Sequence, residues 1–309
     1  MVRIEILPYL WMLGGCVSFT IMGNFTFAMG ESSGTGITID WRIIALSRAG
    51  LVFFLSLFIT LAAKVPLVAR GSKDLWMRSI AGSISLVCTF YAMTKLQLSL
   101  VLTVTNMFPL WVALLSWPLI GKKPSRGEWA AILFGLIGVA VIQRPHWNKD
   151  LVPILAALGA SLATAFAMLG LHRIKGIPAR SIVVHFSGVA TLFCLAVLPL
   201  SPGQWNGDGL QDWRALGFLL GVGVSATIGQ IFLTLAFAKG SPTKVSIVGL
   251  SQVVFAVVGD ILLWGKTLDI PTLVGMALIL FPTAWAMGKG GDDYDSLERE
   301  NPPVALPPE

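Results

Sequence analysis

Read as apolar and polar positions, the chain is a series of long apolar runs separated by short polar connections. Each run is close to the roughly 20 residues that carry a helix across about 30 Å of hydrocarbon. Ten fall at residues 7–29, 41–63, 75–94, 98–120, 127–143, 151–172, 180–200, 213–238, 243–264 and 270–288, here called spans 1 to 10. They are continuous and rich in Leu, Ala and Gly, whereas barrel strands alternate apolar and polar over about ten residues. The pattern predicts an all-α integral membrane protein of ten transmembrane helices. Span 1, with Arg3 ahead and Ala28-Met29-Gly30 behind, has the outline of a signal peptide. Its apolar stretch exceeds the ~7–15 residues of a signal core, so it is read as a span.

Composition agrees: the chain is 55% hydrophobic and 12% charged, with a mean hydropathy of +0.78. A soluble domain is nearer 25% charged. The net charge of +6 reads as orienting loop charge rather than a nucleic-acid footprint. With a cytoplasmic N-terminus, the inner connections, counting Arg78 among them, hold more than twice as many Lys and Arg as the outer ones. Both termini are therefore expected in the cytoplasm. Cys16, Cys88 and Cys194 lie inside apolar runs and read as small apolar fillers, with no disulfide or metal framework. Residues 290–309 are acidic and Pro-rich and are expected to be a disordered cytoplasmic tail. Its Asp292-Asp293-Tyr294-Asp295 resembles half of a metal-diphosphate site and is read as solvated tail.

The two halves align with each other. In one register Ala92, Lys95, Val101, Val104, Leu119, Gly121 and Lys122 meet Ala236, Lys239, Val245, Val248, Leu263, Gly265 and Lys266. In a nearby register Ile39, Arg42 and Gly50 meet Ile177, Arg180 and Gly188. A five-span unit used twice enters the membrane from opposite sides, because five is odd. Inverted repeats of this kind place a substrate site near the midplane of secondary transporters.

These residues resemble the EamA family of the drug/metabolite transporter superfamily over about residues 5–289. The similarity is carried by Tyr91-Ala92, Pro109, Leu119-Ile120-Gly121-Lys122-Lys123-Pro124-Ser125, Gly135 and Gly138. Its second copy is Ala236, Leu263-Trp264-Gly265-Lys266 and Gly275. The resemblance implies residues 1–146 as a first repeat and 147–289 as a second. It also implies a central cavity lined by helices 1, 3, 4, 6, 8 and 9, and metabolite movement by alternating access. The family usually has an acidic residue where Lys122 and Lys266 stand here, and Pro109 has Val253 as its counterpart.

Span 4 carries Thr105-Asn-Met-Phe-Pro-Leu-Trp111 near its centre. Pro109 leaves the carbonyl of Thr105 without its helical donor, tolerable where side chains or water satisfy it. Thr105 and Asn106 are the nearest side chains, so Pro109 is a hinge candidate and Thr105 and Asn106 are substrate-contact candidates. The bland alternative is a packed structural kink. Cys16, Thr20 and Asn24 share one face of span 1. In span 9, Gly249, Gln252, Ala256, Gly259 and Asp260 form a small, polar face. Asn24, Asn106 and Gln252 could bind a polar metabolite, or serve as interhelical glue. In span 8, Gly217, Gly221, Ser225 and Gly229 are assigned to packing, and Gly223, Thr227, Gln230 and Thr234 to the cavity. Ser161 and Thr164 of span 6 are further candidates.

Ionisable groups inside spans are functional hypotheses by default: Arg48, His185 and Asp260. Arg48 and Asp260 could pair as an outer gate, or Arg48 could hold a substrate carboxylate or phosphate. The structural alternatives are helix-end carbonyls for Arg48 and an interfacial position for Asp260. His185 is either a buried polar group or a pH-sensitive site. Lys95 and Lys239 are read as snorkelling, with an anion-attracting pair as the alternative. Tyr9, Trp11, Trp41, Trp76, Trp129, Trp147, Trp213 and Trp264 are read as interface anchors.

The expected function is secondary transport of a small polar organic metabolite, as exporter or exchanger. No GxxxxGK[ST] motif points to direct ATP drive. Facilitated or exchange transport is expected over obligate proton coupling, because Asp260 is the one acid well placed for the latter. The alternatives are a non-transporting membrane sensor or assembly factor, and an integral membrane lipid-modifying enzyme. The histidines are scattered and no paired carboxylates stand at a span edge, so no enzyme, cofactor or metal is expected. The expected partners are the lipid bilayer and a small-molecule substrate, with a homodimer left open, in a bacterial cytoplasmic membrane.

Overall fold

The structure, a computed structural model, describes residues 6–30, 35–68, 72–96, 98–144, 151–197, 208–265 and 267–288. The expected tail at 290–309 and the anchor Trp147 lie outside the described residues. So do the connections that carry Arg3, Arg70, Lys149 and Lys266.

The described residues are all-helical: α1 (Leu7–Ala28), α2 (Trp41–Ala62), α3 (Lys73–Lys95), α4 (Leu98–Thr105), α5 (Phe108–Ile120), α6 (Arg126–Gln143), α7 (Leu151–Arg173), α8 (Ala179–Val197), α9 (Trp213–Lys239), α10 (Pro242–Gly249), α11 (Ser251–Trp264) and α12 (Ile270–Gly288). Span 4 is α4 with α5, and span 9 is α10 with α11. Among the described residues nine helices are long and apolar enough to cross a membrane. The stretch expected as span 3 is α3, a helix of 23 residues. Lys73, Asp74 and Arg78 in its first turns and the serines 79, 83 and 85 keep it out of that set.

Side chains fix where helices begin. Asp40 accepts from the Arg42 amide at 2.8 Å and starts α2. Ser125 and Glu128 form a capping box at α6, and Asp212 accepts from the Arg214 amide at 2.9 Å at α9. Gly121 and Gly265 close α5 and α11 with φ of 81° and 63°, a left-handed turn that glycine adopts without Cβ cost. They are equivalent positions of the two halves.

The most extensive packing is α3 on α7 and α1 on α9, followed by α6 on α12 and α2 on α8. α9 also packs on α2, α8 on α3, α5 on α7 and α11 on α1. The main core lies where α1, α5, α7, α9 and α10 converge, around Met12, Val112, Leu169, Phe237 and Ile247. All eight residues of α10 are buried. The outer surface is apolar, with Phe54, Phe58, Leu192, Leu216, Leu262 and Phe281 exposed, as a lipid-facing surface requires.

Glycines set the closest approaches. A Cβ on Gly221 or Gly229 would meet the rings of Phe25 or Phe19 of α1 at 2.6 and 3.0 Å. The packing stripe expected in span 8 thus holds at Gly221 and Gly229 but not at Gly217, where nothing lies within 4 Å of an added Cβ. A Cβ on Gly223 would meet Leu51 Cβ at 2.5 Å, so the face expected to line a cavity is packed on α2 there. The small residue at 223 serves helix contact.

Candidate functional site

Two helix breaks lie at the centre of the bundle. The first separates α4 from α5 at Asn106-Met107, where the expected hinge falls. Pro109 occupies the first turn of α5 and is buried, a position where its missing N–H costs nothing. The second separates α10 from α11 at Leu250 and corrects the reading of span 9 as continuous. The hydrogen bonds correspond. Met107 and Leu110 donate to Val104 and Met107 at 3.1 and 3.0 Å, and Leu250 and Val253 donate to Ile247 and Leu250, both at 3.1 Å.

The second break has no proline. Gly249 ends α10, and glycine is a poor helix residue. The Ser246 and Ser251 hydroxyls donate back to the carbonyls of Thr243 and Val248 at 2.7 and 2.6 Å, a bond that bends helices. The Cys16 thiol of α1 reaches the Gly249 carbonyl at 3.6 Å. Cys16 is therefore more than an apolar filler, since it partners a carbonyl at the break. The two breaks approach each other: a Cβ on Gly249 would stand 2.7 Å from Met12 Cε and 3.5 Å from Phe108 Cζ.

The polar candidates divide by what they touch. Thr105 donates to the carbonyls of Val101 and Leu102 at 2.9 and 3.3 Å. Asn106 Nδ2 donates to Leu102 at 2.8 Å. Both therefore bind the preceding turn rather than the Thr105 carbonyl. Asn24 Nδ2 donates to Thr20 O at 3.0 Å, and its Oδ1 accepts from Trp264 Nε1 at 2.8 Å. That bond ties α1 to α11, so Asn24 acts as interhelical glue here and Trp264 is more than an interface anchor. Thr20 Oγ1 and Gln230 Nε2 are buried without a hydrogen-bond partner. The Gln252 side chain, half-buried at the start of α11, enters no hydrogen bond among the described residues. Thr227 and Thr234 donate to the carbonyls of Gly223 and Gln230, each at 2.7 Å. Thr164 meets the Ser85 hydroxyl at 2.6 Å, and Ser161 accepts from Trp111 Nε1 at 2.7 Å. Asp260 is half-buried in α11. Arg48 forms no ion pair among the described residues, so the expected Arg48–Asp260 gate is not made in this structure.

A second cluster forms between α2, α3 and α8. His185 Nδ1 lies 2.7 Å from the Ser79 hydroxyl, and the ring stands edge-on to Trp76 with centroids 4.7 Å apart. Arg78, read from sequence as a connection charge, is 2% exposed within α3. Its guanidinium lies over the Phe186 ring at 4.0 Å. Arg48 of α2 lies within electrostatic reach of it. The missed signal was in Arg78-Ser-Ile-Ala81-Gly82, where two small residues follow the cation three and four positions on, on the same helix face.

Each half thus carries one broken span that ends on a left-handed glycine, and comparison with known families finds the same doubling. The model of the EamA-like transporter family matches residues 6–144 and again 151–287. The chain belongs to the EamA-like transporter family. It is 29% identical over 279 residues to the pseudopaline exporter CntI of Pseudomonas aeruginosa strain PAO1, covering 85% of this chain and 93% of that one. It is 24% identical over 287 residues to human solute carrier family 35 member G1, covering 87% and 74%. A solved crystal structure shares the fold with a TM-score of 0.75 at 18% identity, over 90% of this chain and 96% of that one. This EamA-like chain is thus a multi-pass membrane protein of a transporter family.

Proposed function

We propose that the protein is a secondary transporter that moves a small polar organic metabolite by alternating access, as exporter or exchanger, without direct use of ATP. The carrying observation is the pair of broken spans that meet at Phe108 and Gly249. Non-helical backbone at membrane depth is tolerated only where protein buries it or a polar path borders it. In transporters such breaks mark the substrate site. Asn106 and Gln252, one at each break, are the proposed contacts. Pro109 is the proposed hinge.

Ten spans in two inverted repeats, residues 1–146 and 147–289, accompany this reading. The packing supports it. Adding or subtracting five from every span number turns the 3–6 contact into 8–1, 4–6 into 9–1 and 2–8 into 7–3, all present. The 2–7 and 5–10 contacts map onto themselves. The orientation proposed has both termini cytoplasmic, in a cytoplasmic membrane. Relatives named as transporters support a carrier over an enzyme.

The test is counterflow in liposomes loaded with a mixture of unlabelled polar metabolites. Wild type should accumulate one labelled class without nucleotide, and Asn106→Ala and Gln252→Ala should reduce that uptake. Folded protein that moves no class above empty liposomes would overturn the proposal. Uphill flux driven by acid on one side in wild type, lost in Asp260→Asn, would replace exchange with proton coupling.

A further inference from the structure

We propose that Arg48 and Arg78 together bind the carboxylate or phosphate oxygens of an anionic substrate. This deepens the transport reading and rests on it for the word substrate.

Arg78 stands six residues into α3, a position from which a long side chain reaches the helix end and water with ease. Helical side chains also lean towards the N-terminus by default. Arg78 does the opposite. A Cβ on Gly82, one turn further into the helix, would lie 2.4 Å from its Nη1. The guanidinium is thus held inside the bundle, in space that exists because residue 82 has no side chain. Phe186 covers one face of it, which stabilises the charge but leaves the N–H edge without acceptors. Nε of Arg78 and Nε of Arg48 are both buried with no hydrogen-bond partner.

Two guanidiniums within electrostatic reach of each other repel and stay protonated. A buried charge is tolerated when something pairs it. No acid among the described residues does so. Asp40 pairs with Arg42, Asp74 with Arg173, Asp212 with Arg214 and Asp269 with Arg144, Glu128 is spent on its capping box, and Asp260 of α11 forms no ion pair with either arginine. Neither Arg48 nor Arg78 has an ion pair among the described residues. No described residue supplies the compensating charge, which is the opening for an anionic ligand. Planar N–H forks match carboxylate and phosphate oxygens. Ser79 and His185, bonded to each other, are the sequence neighbours of Arg78 and of Phe186.

The experiment uses the full chain in phosphatidylcholine nanodiscs, with apparent melting temperature followed against succinate, glycerol 3-phosphate, glycerol and putrescine. Saturable stabilisation by the two anions alone is expected. Arg48→Gln and Arg78→Gln should each weaken it about tenfold or more, and Arg78→Lys less. Anions no better than glycerol, or equal stabilisation of wild type and Arg78→Gln, would overturn the proposal. If Arg78→Gln does not fold, the wild-type series with Arg48→Gln and Arg48→Lys decides. Phosphatidylglycerol nanodiscs form the second arm. If that lipid stabilises through Arg78 and abolishes the succinate response, the site belongs to a headgroup and the substrate claim falls. Liposome counterflow separates the two readings. Flux of neutral metabolites with no anion effect leaves transport standing and removes this site, whereas anion binding without flux removes transport.

Discussion

Gly138 and Gly275 stand opposite each other where α6 crosses α12, each in the space the other's side chain would need. A Cβ on Gly138 would lie 2.7 Å from the Gly275 carbonyl oxygen, and a Cβ on Gly275 would lie 2.8 Å from that of Gly138. The reciprocity marks a close helix crossing in which each backbone fills the space the other's Cβ would take. Either glycine→Ala change forces the backbones apart, and overpacking of this kind costs about 1–3 kcal/mol. The double variant should cost less than the sum, because one displacement makes room for both. Gly159→Ala and Gly217→Ala, with no atom within 4 Å of the new Cβ, should be neutral or stabilising. Thermal unfolding in detergent measures all five, and equal effects at 138 and 159 would remove the close-approach argument.

The second break shows that Pro109 is sufficient but not necessary. Leu250 interrupts span 9 with the same bonds to the third preceding carbonyl and with no proline in the turn that follows. Asn106 also helps to hold the first break, donating from both its backbone and its side chain to the Leu102 carbonyl. Pro109→Ala is therefore expected to keep the interruption and to change stability by less than about 1 kcal/mol. Hydrogen exchange at residues 107–110 should stay fast. Full helical protection there would show that the proline alone makes the break.

Most of the helices were legible because a bilayer demands long apolar runs. The break at Asn106 was legible too, because proline is a strong local signal. Leu250 was not, since a glycine and two back-bonding serines break a helix only where tertiary contacts such as Cys16 take the freed carbonyl. Arg78 was missed for a related reason. Near a span edge, a cation that snorkels outwards and one turned inwards read the same, and the difference is set by Gly82 and Phe186 on two helices. The Asn24 role was left open for want of its partner, Trp264, 240 positions away.

That partner changes what Asn24 variants should do. Asn24→Ala removes the acceptor for Trp264 Nε1 and leaves a part-buried donor unpaired, costing about 1 kcal/mol. The loss should be the same with and without bound metabolite, because it acts on the α1–α11 contact. Trp264→Phe should recover much of it, since the orphaned donor is then gone. A variant that keeps its stability and loses only ligand response would return Asn24 to the binding site.

Outside the spans, Asp269 gives a pH signature. It accepts from Thr272 ahead of α12 and from Arg144 at the end of α6. Hydrogen bonding by Thr272, with the Arg144 guanidinium second, holds its carboxyl at about 2, down from 3.8. A depressed carboxylate contributes stability above its unfolded value and loses that contribution as pH falls through its folded value. Asp269→Asn should therefore melt below wild type at neutral pH, by a modest margin because the pair is exposed. The gap should hold constant down to about pH 4 and close between there and pH 2. High salt should narrow it at neutral pH. A gap that opened only on acidification would reverse the sign and exclude this carboxylate as its source.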